Sequence, residues 1–323
     1  MAPQKPTPKK QNPGKQPPQY RSHPPRPPAG APEVVDPIWL LKAVALVIIA
    51  ALVCGYGSLC LLLYQGQWQL ILHPKQTSTV PAAIAGTPIE LIHFGTDESG
   101  TPQLTGWSIP AAKDAHYASL TILFLPPGNG SLIDTLPTLT VLHNLGINIF
   151  AIDYRGYGLS AAVHPNQARM TQDADTALHY LMTSRAVPGG QIIPYGTGVA
   201  ASLAAHLAAS QTAIPAVILD TPDPDPLQII LHDPRTKFLP VNALIHDRFP
   251  LTEPLGTLKT PKLLIQPEKD DSAFKSAADP RITIFEMPKP GTPDYAPTLT
   301  RYLARFLDQY ATAAVQQLQS PPK

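Results

Sequence analysis

An apolar run, Gln191-Ile192-Ile193-Pro194-Tyr195, enters a glycine-rich turn, Gly196-Thr197-Gly198-Val199-Ala200, and leaves it as an alanine-rich stretch reaching about Ser210. Strand, tight turn and helix in this order are the setting in which a G-x-S-x-G sequence holds a serine oxygen at a strained corner, ready to attack a carbonyl. Here the central position is Gly198, which has no side chain and no nucleophile. Attack by a hydroxyl also needs a base to take its proton and an acid to orient that base. Other hydroxyls stand near such partners. Gly158-Leu159-Ser160-Ala161-Ala162 copies the spacing, but Pro165 interrupts any helix after it. Ser202 and His206 are four residues apart on the helix after the turn, where side chains face each other. They have no evident orienting acid, and packing of an Ala-rich helix accounts for both. Thr197 flanks the turn with its side chain expected to aim away, and His164, beside Pro165, reads as a loop residue.

The chain around these residues has 323 positions, 44% of them apolar, and a formal net charge of +1. Near-neutrality argues against nucleic acid as a partner of the whole protein. Twelve of the 40 prolines fall between Pro3 and Pro37, with six Lys or Arg and no acid before Glu33. So polar a segment buries too little apolar surface to offset its chain entropy. Residues 1–37 are therefore expected to be a disordered, basic, Pro-rich tail, in which Pro24-Pro25-Arg26-Pro27-Pro28 has the form of a docking ligand. Residues 38–64 follow as a transmembrane helix. No charge occurs from Ala43 to Tyr64, and such a run is long enough to cross a hydrocarbon core of roughly 30 Å. It is longer than the core of a signal peptide, and no clean A-x-A cleavage site follows it. Trp39 and Tyr64 suit the two interfaces, and Lys42 can snorkel. The positive-inside bias then puts the tail in the cytoplasm and the rest outside.

Both cysteines, Cys54 and Cys60, lie in that helix, so the remainder has no disulfide, thiol nucleophile or redox centre. Six of the ten histidines fall between His73 and His179, none at metal-like spacing beside acids. No P-loop or dinucleotide fingerprint occurs, and no cofactor or metal is expected.

From 67 to 310 strand-like and helix-like runs alternate. Strands are expected at Ile89–Phe94, Leu104–Ile109, Leu120–Leu125, Ile147–Asp153, Gln191–Pro194, Val217–Asp220, Lys262–Ile265 and Ile282–Phe285. Helices are expected at Ser131–Leu145, Gln172–Arg185, Val199–Ser210 and Thr298–Ala314, leaving 311–323 as a C-terminal tail. The alternation predicts an α/β domain, a mostly parallel sheet with helices on both faces.

Several motifs now carry a resemblance. Trp68-Gln69-Leu70-Ile71-Leu72-His73-Pro74, Leu104-Thr105-Gly106-Trp107-Ser108-Ile109-Pro110 and Leu239-Pro240-Val241 through Asp247-Arg248-Phe249 occur in that order, with Ile152-Asp153-Tyr154-Arg155-Gly156-Tyr157-Gly158-Leu159-Ser160 the most specific among them. Together they resemble the membrane-anchored α/β-hydrolases of the serine-aminopeptidase-like branch. The resemblance implies the α/β-hydrolase fold and serine-hydrolase activity on esters or amides. It puts the nucleophile at Gly198, the acid at Asp270 with Asp271 next to it, and the base near Thr292 in Met287–Asp294. No histidine follows His246, so the base is missing from that region in any register. The family's His-Gly-Asn-x-Gly oxyanion loop is represented by Pro127-Gly128-Asn129-Gly130-Ser131. Its amides, with the Val199 N–H at the helix start, form a candidate anion site.

The sequence thus keeps what would hold an oxygen and lacks what would break a bond. It predicts a membrane-anchored, non-catalytic α/β-hydrolase-fold protein of the bacterial inner membrane, its domain in the periplasm. That protein would bind a small acyl or carboxylate ligand or a protein partner. Two alternatives stay open: a serine hydrolase with a relocated nucleophile, and a scaffold that recruits partners through its Pro-rich tail.

Overall fold

The computed structural model describes residues 36–311, apart from positions 78, 268, 270 and 271. The expected tail up to residue 35, the candidate acid Asp270 and the chain beyond 311 lie outside the described residues. The chain divides into two compact units, 1–54 and 55–323. One helix, α1 (Pro37–Gly66), runs through the boundary. Its 30 residues make about 45 Å of helix, and it is long and apolar enough to cross a membrane.

In the second unit an eight-stranded sheet contains β1 (Glu90–Thr96), β2 (Pro102–Ile109), β3 (Thr121–Leu125), β4 (Asn148–Asp153), β5 (Ile192–Thr197), β6 (Val217–Asp220), β7 (Lys262–Ile265) and β8 (Arg281–Ile284). Their spatial order is β8-β7-β6-β5-β3-β4-β2-β1. The pairs from β4 through β3 to β8 are parallel, and β2 is antiparallel to both β1 and β4. Central parallel strands are covered on both faces and read as continuous apolar runs, as in β3, buried throughout.

The longer helices of the domain are α2 (Leu136–Asn144), α3 (Gln167–Thr183), α4 (Ala200–Ser210) and α5 (Tyr295–Tyr310). On one sheet face, Leu139, Leu142, Leu303 and Phe306 pack with Trp107 and Ile122. On the other, Met170, Leu178, Ala201 and Leu203 pack with Leu123 and Phe150. The layering is the one expected, with local differences. α3 begins five residues earlier than its apolar pattern, because Asn166 just after Pro165 caps it, accepting from the Arg169 N–H at 2.8 Å. The stretch 131–145 opens with a 3-10 turn, Leu132–Thr135, before α2. Three short helices between β6 and β7, Leu227–His232, Val241–Leu244 and Thr252–Thr257, were not expected. Each is too short to show a helical period amid the prolines.

The end of α1 is built into the domain. Leu63 joins the buried core, and the Gln67 side-chain Oε1 accepts from the His246 and Asp247 N–H groups at 2.9 and 3.1 Å. Gln167 does the same for Arg248 and Phe249, both at 2.8 Å. Two glutamine side chains therefore satisfy four consecutive backbone donors of an otherwise irregular segment.

Candidate functional site

Ligands of parallel α/β sheets bind beyond the carboxyl ends of the strands, and the glycine-rich turn lies at that edge. β5 is paired on both sides, to β3 and β6, up to its last residues. Gly198 then turns the chain at φ +58°, and α4 starts two residues later. Only glycine takes this left-handed conformation without cost. The turn is tied to the neighbouring strand, since Gly198 N–H donates to the Asp220 carbonyl at 3.0 Å. A different constraint acts at Gly196, where an added Cβ would lie 2.3 Å from the Ala200 carbonyl oxygen. That close approach lets α4 leave the sheet directly over the strand end. A strand–elbow–helix corner is present with its central side chain missing.

The loop after β3 faces this corner. A Cβ built at 198 would find Pro127 Cβ at 3.4 Å as its nearest neighbour, so the position has room for a side chain. Gly128 adjoins Val199: a Cβ at 128 would lie 2.8 Å from Val199 Cγ2 and 2.5 Å from Leu72 Cδ2. The structure therefore brings Gly198, Val199 and Gly128 together. The loop is held from its outer side. Gly128 carbonyl accepts from His73 N–H at 2.8 Å and from the Tyr157 hydroxyl at 2.9 Å. Asn129 and Gly130 pair in parallel with His73 and Pro74. Asp134 accepts from Ser131 N–H at 2.9 Å beside Gly130, which has φ +81°. The segment that follows α1 thus braces the loop opposite the elbow. At the elbow itself, Thr197 Oγ is buried with no hydrogen-bond partner among the described residues.

The other positions named from sequence divide clearly. Thr292 is exposed, and its hydroxyl and N–H both go to the Lys289 carbonyl, a local turn leading into α5. Ser202 is buried and donates to the Val199 carbonyl at 2.8 Å. His206 is exposed and meets Asp175 at 3.3 Å. Their shared helix face therefore does not make them a pair. Ser160 is buried, donates to the Asp153 carbonyl at 2.6 Å and accepts from Thr105 N–H. His164 stacks on Trp68, with ring centroids 4.9 Å apart. Among the described residues no group of three or more His, Cys, Asp or Glu is placed to hold a metal ion.

One acidic group near the corner was missed. Asp220 ends β6, and its carboxylate accepts from the Tyr195 hydroxyl at 2.7 Å and the Thr221 hydroxyl at 2.9 Å. Burial raises its pKa. Thr221 beside it has φ +48°, a strained angle for a β-branched residue. An acid closing an apolar strand, as in Val217-Ile218-Leu219-Asp220, was the signal available. Asp153, at the end of β4, is likewise buried, with one oxygen unpartnered among the described residues, and burial lifts its pKa to about 6. Both carboxyls are engaged by hydroxyl or backbone donors, and neither orients a histidine.

No family model matches the chain. An uncharacterized protein of Mycobacterium tuberculosis is 25% identical over 249 residues, 77% of this chain and 85% of that protein. Protein bem46 of Schizosaccharomyces pombe is 35% identical over 102 residues, 31% of this chain and 34% of that one. Alpha/beta hydrolase domain-containing protein 17C of Xenopus tropicalis is 29% identical over 155 residues, 47% of this chain and 46% of its own length. Among solved structures, an esterase of Pyrococcus furiosus superposes with a TM-score of 0.57 at 14% identity, covering 75% of this chain and 98% of that one. An alpha-beta hydrolase from Vibrio vulnificus gives 0.53 at 19%, covering 73% and 96%. Sheet order, the elbow between β5 and α4, and these likenesses agree, and the chain has the α/β-hydrolase fold.

Proposed function

We propose that this protein is a membrane-attached α/β-hydrolase-fold module that binds rather than hydrolyses. Its ligand is a small acyl or carboxylate group seated at the elbow. The observation that carries the reading is Gly198: the corner keeps the backbone angle of a nucleophile position and has no side chain there. The sequence adds that no histidine follows His246, and His246 itself is engaged with Gln67. With no histidine after His246, a hydroxyl there, whose pKa lies far above 7, lacks the usual proton acceptor. What the site offers is a glycine-rich loop facing a helix start, with the apolar Val199 and Leu72 side chains packed beside Gly128. Amides at a helix start favour an anionic oxygen, and the apolar wall suits the carbon chain attached to it.

Attachment to a membrane rests on α1, which exceeds the roughly 20 residues a hydrocarbon core needs. Its last turns, from Tyr56 to Gly66, are used by the domain through Leu63 and the Tyr56 hydroxyl. The basic tail on the other side favours a cytoplasmic N-terminus and an exported domain in a bacterial inner membrane.

The test is covalent labelling of the detergent-solubilised full chain with a fluorophosphonate probe, beside isothermal titration with short-chain fatty acids. The expected result is no labelled serine and saturable binding that Val199→Trp abolishes. A labelled serine, with ester turnover lost when that serine is replaced by alanine, would establish a hydrolase with a relocated nucleophile instead.

A further inference from the structure

Between β6 and β7 the domain carries Phe238, at 82% the most exposed large apolar side chain among the described residues. One exposed phenylalanine is ordinary on a protein surface. What distinguishes this one is its position. The Tyr56 hydroxyl donates to the Phe238 carbonyl at 3.2 Å, which holds the residue beside α1. On that helix Leu59, Leu61 and Leu62 are each more than half exposed. The Lys237 ammonium stands 5.9 Å from the Phe238 ring centre. Arg235, just before it, is exposed and ion-paired to Asp233. An aromatic ring and cations on one short segment are the composition of protein that lies in a membrane interface.

Helix length sets the depth of this segment. A hydrocarbon core of roughly 30 Å takes about 20 residues at ~1.5 Å each. Counted from Pro37, the first residue of α1, the far boundary falls at Tyr56. Counted from Lys42, the last charge before the uncharged run, it falls about five residues later, and tilt moves it later still. In each register Tyr56 lies at the boundary or inside it, and the Phe238 carbonyl lies with it. Irregular backbone is not exposed to lipid within the core. The earliest register is therefore the one that fits, with Tyr56 and Phe238 together at the interface. Lys42 then reaches back to the near headgroups along its own stem.

We propose that residues 235–239 are a second membrane contact of this protein. The Phe238 ring enters the leaflet on the domain's side, and Lys237 lies among the phosphates of that leaflet. The proposal rests on the membrane-attached reading of α1. It adds a surface of the folded domain, so that the domain lies against the bilayer instead of standing off it on a stalk.

The experiment uses the full chain carrying Cys54→Ser and Cys60→Ser, in nanodiscs of phosphatidylcholine and phosphatidylglycerol. Single spin labels are attached at Phe238→Cys, at Ile49→Cys within α1, and at Leu91→Cys on the exposed edge of β1. Power saturation compares collisions with oxygen, which concentrates in lipid, and with a nickel chelate, which stays in water. The oxygen-to-nickel ratio at 238 should exceed that at 91 roughly five-fold and approach that at 49. Lys237→Glu puts an anion among phosphates, and should lower the ratio at 238 roughly two-fold without changing 49. A ratio at 238 equal to that at 91, with 49 still in lipid, would overturn the contact and leave the anchor standing. Few collisions with either reagent at 238 would mean that protein covers the ring, and a second copy of the chain would replace the bilayer as its partner. No effect of Lys237→Glu would overturn the placement of Lys237 among phosphates. A water-exposed label at 49 would remove the anchor and this contact together.

Discussion

At the scale of single residues, position 198 decides the chemistry. Gly198 has φ +58°, and a side chain there meets nothing closer than Pro127 at 3.4 Å. A serine would fit, so the cost of Gly198→Ser is backbone strain alone, ~1–3 kcal/mol. In a domain of this size that is a fall in melting temperature of roughly 2–10 °C. Thermal unfolding measures it, and an unchanged or higher melting point would show that 198 is not a strained elbow. Ester turnover by the variant should stay at background, because the added oxygen has no base. Asp153 makes a second case. Its folded pKa of about 6 lies above the ordinary carboxylate value because of burial, so the folded state takes up a proton between about pH 4 and 6. That contribution to stability is present below about pH 4 and lost as pH rises through 6. Asp153→Asn should therefore gain stability relative to wild type by about 2–3 kcal/mol between pH 4 and 7.5, read from denaturant unfolding at each pH. A constant difference across that range would mean the carboxyl is not desolvated. The glycine at the corner was legible in the sequence because one position in one turn carries it. Asp220 was not, since its environment is made by Tyr195 and Thr221 from two strands.

At the scale of elements, strand–helix approach explains both what the sequence disclosed and what it withheld. β6 and β7 have the bounds their apolar runs predict, and α4 starts one residue after its predicted first position. β5 runs three residues beyond its predicted end, because pairing to β3 and β6 holds Tyr195 to Thr197 extended where local pattern shows only a turn. The distance between β5 and α4 is set at Gly196, and Gly196→Ala forces a Cβ to within 2.3 Å of the Ala200 carbonyl. Backbone on both sides leaves no room to yield. The change should cost about 3 kcal/mol or more, at the upper end of overpacking, and a variant melting within about 2 °C of wild type would show that α4 shifts freely. The irregular segment 246–249 was invisible to periodicity, since side-chain hydrogen bonds rather than a repeating ladder hold it. Gln67→Ala should leave the His246 and Asp247 N–H groups unpartnered beneath a buried position. At ~1–3 kcal/mol for each buried unsatisfied donor, the loss should appear as faster amide exchange at 246 and 247. Unchanged protection there would assign the segment's order to packing alone.

At the scale of the whole chain, organisation was legible because composition changes abruptly. Apolar residues without charge end near Tyr64, and alternating strand and helix patterns begin soon after. The join between them was not legible. Residues 56–76 read as the end of one element and a lead-in to another, yet here they serve α1, the 246–249 segment and the loop opposite the elbow at once. Leu72 fills the space beside Gly128, and His73 and Pro74 pair with Asn129 and Gly130. The strand-like edge 73–74 exists only because its partner comes from 56 residues away, a separation no local pattern encodes. This arrangement has a consequence for topology. If α1 crosses a membrane as proposed, a helix tied to the domain at Tyr56, Leu63 and Gln67 would keep the domain on the side where α1 ends. On the proposed membrane-attached reading, six basic residues and no acid before Glu33 would bias the opposite end toward the cytoplasm. Alkaline phosphatase joined after Lys323 should therefore be active in bacterial cells, while a green fluorescent protein at the same place should stay dark. Reversing the charge of Lys5, Lys9, Lys10, Lys15, Arg21 and Arg26 to Glu should reduce phosphatase activity several-fold by weakening the bias that orients α1. Bright fluorescence with inactive phosphatase in the wild-type chain would put the domain, its elbow and its loop in the cytoplasm, and the exported reading would be replaced.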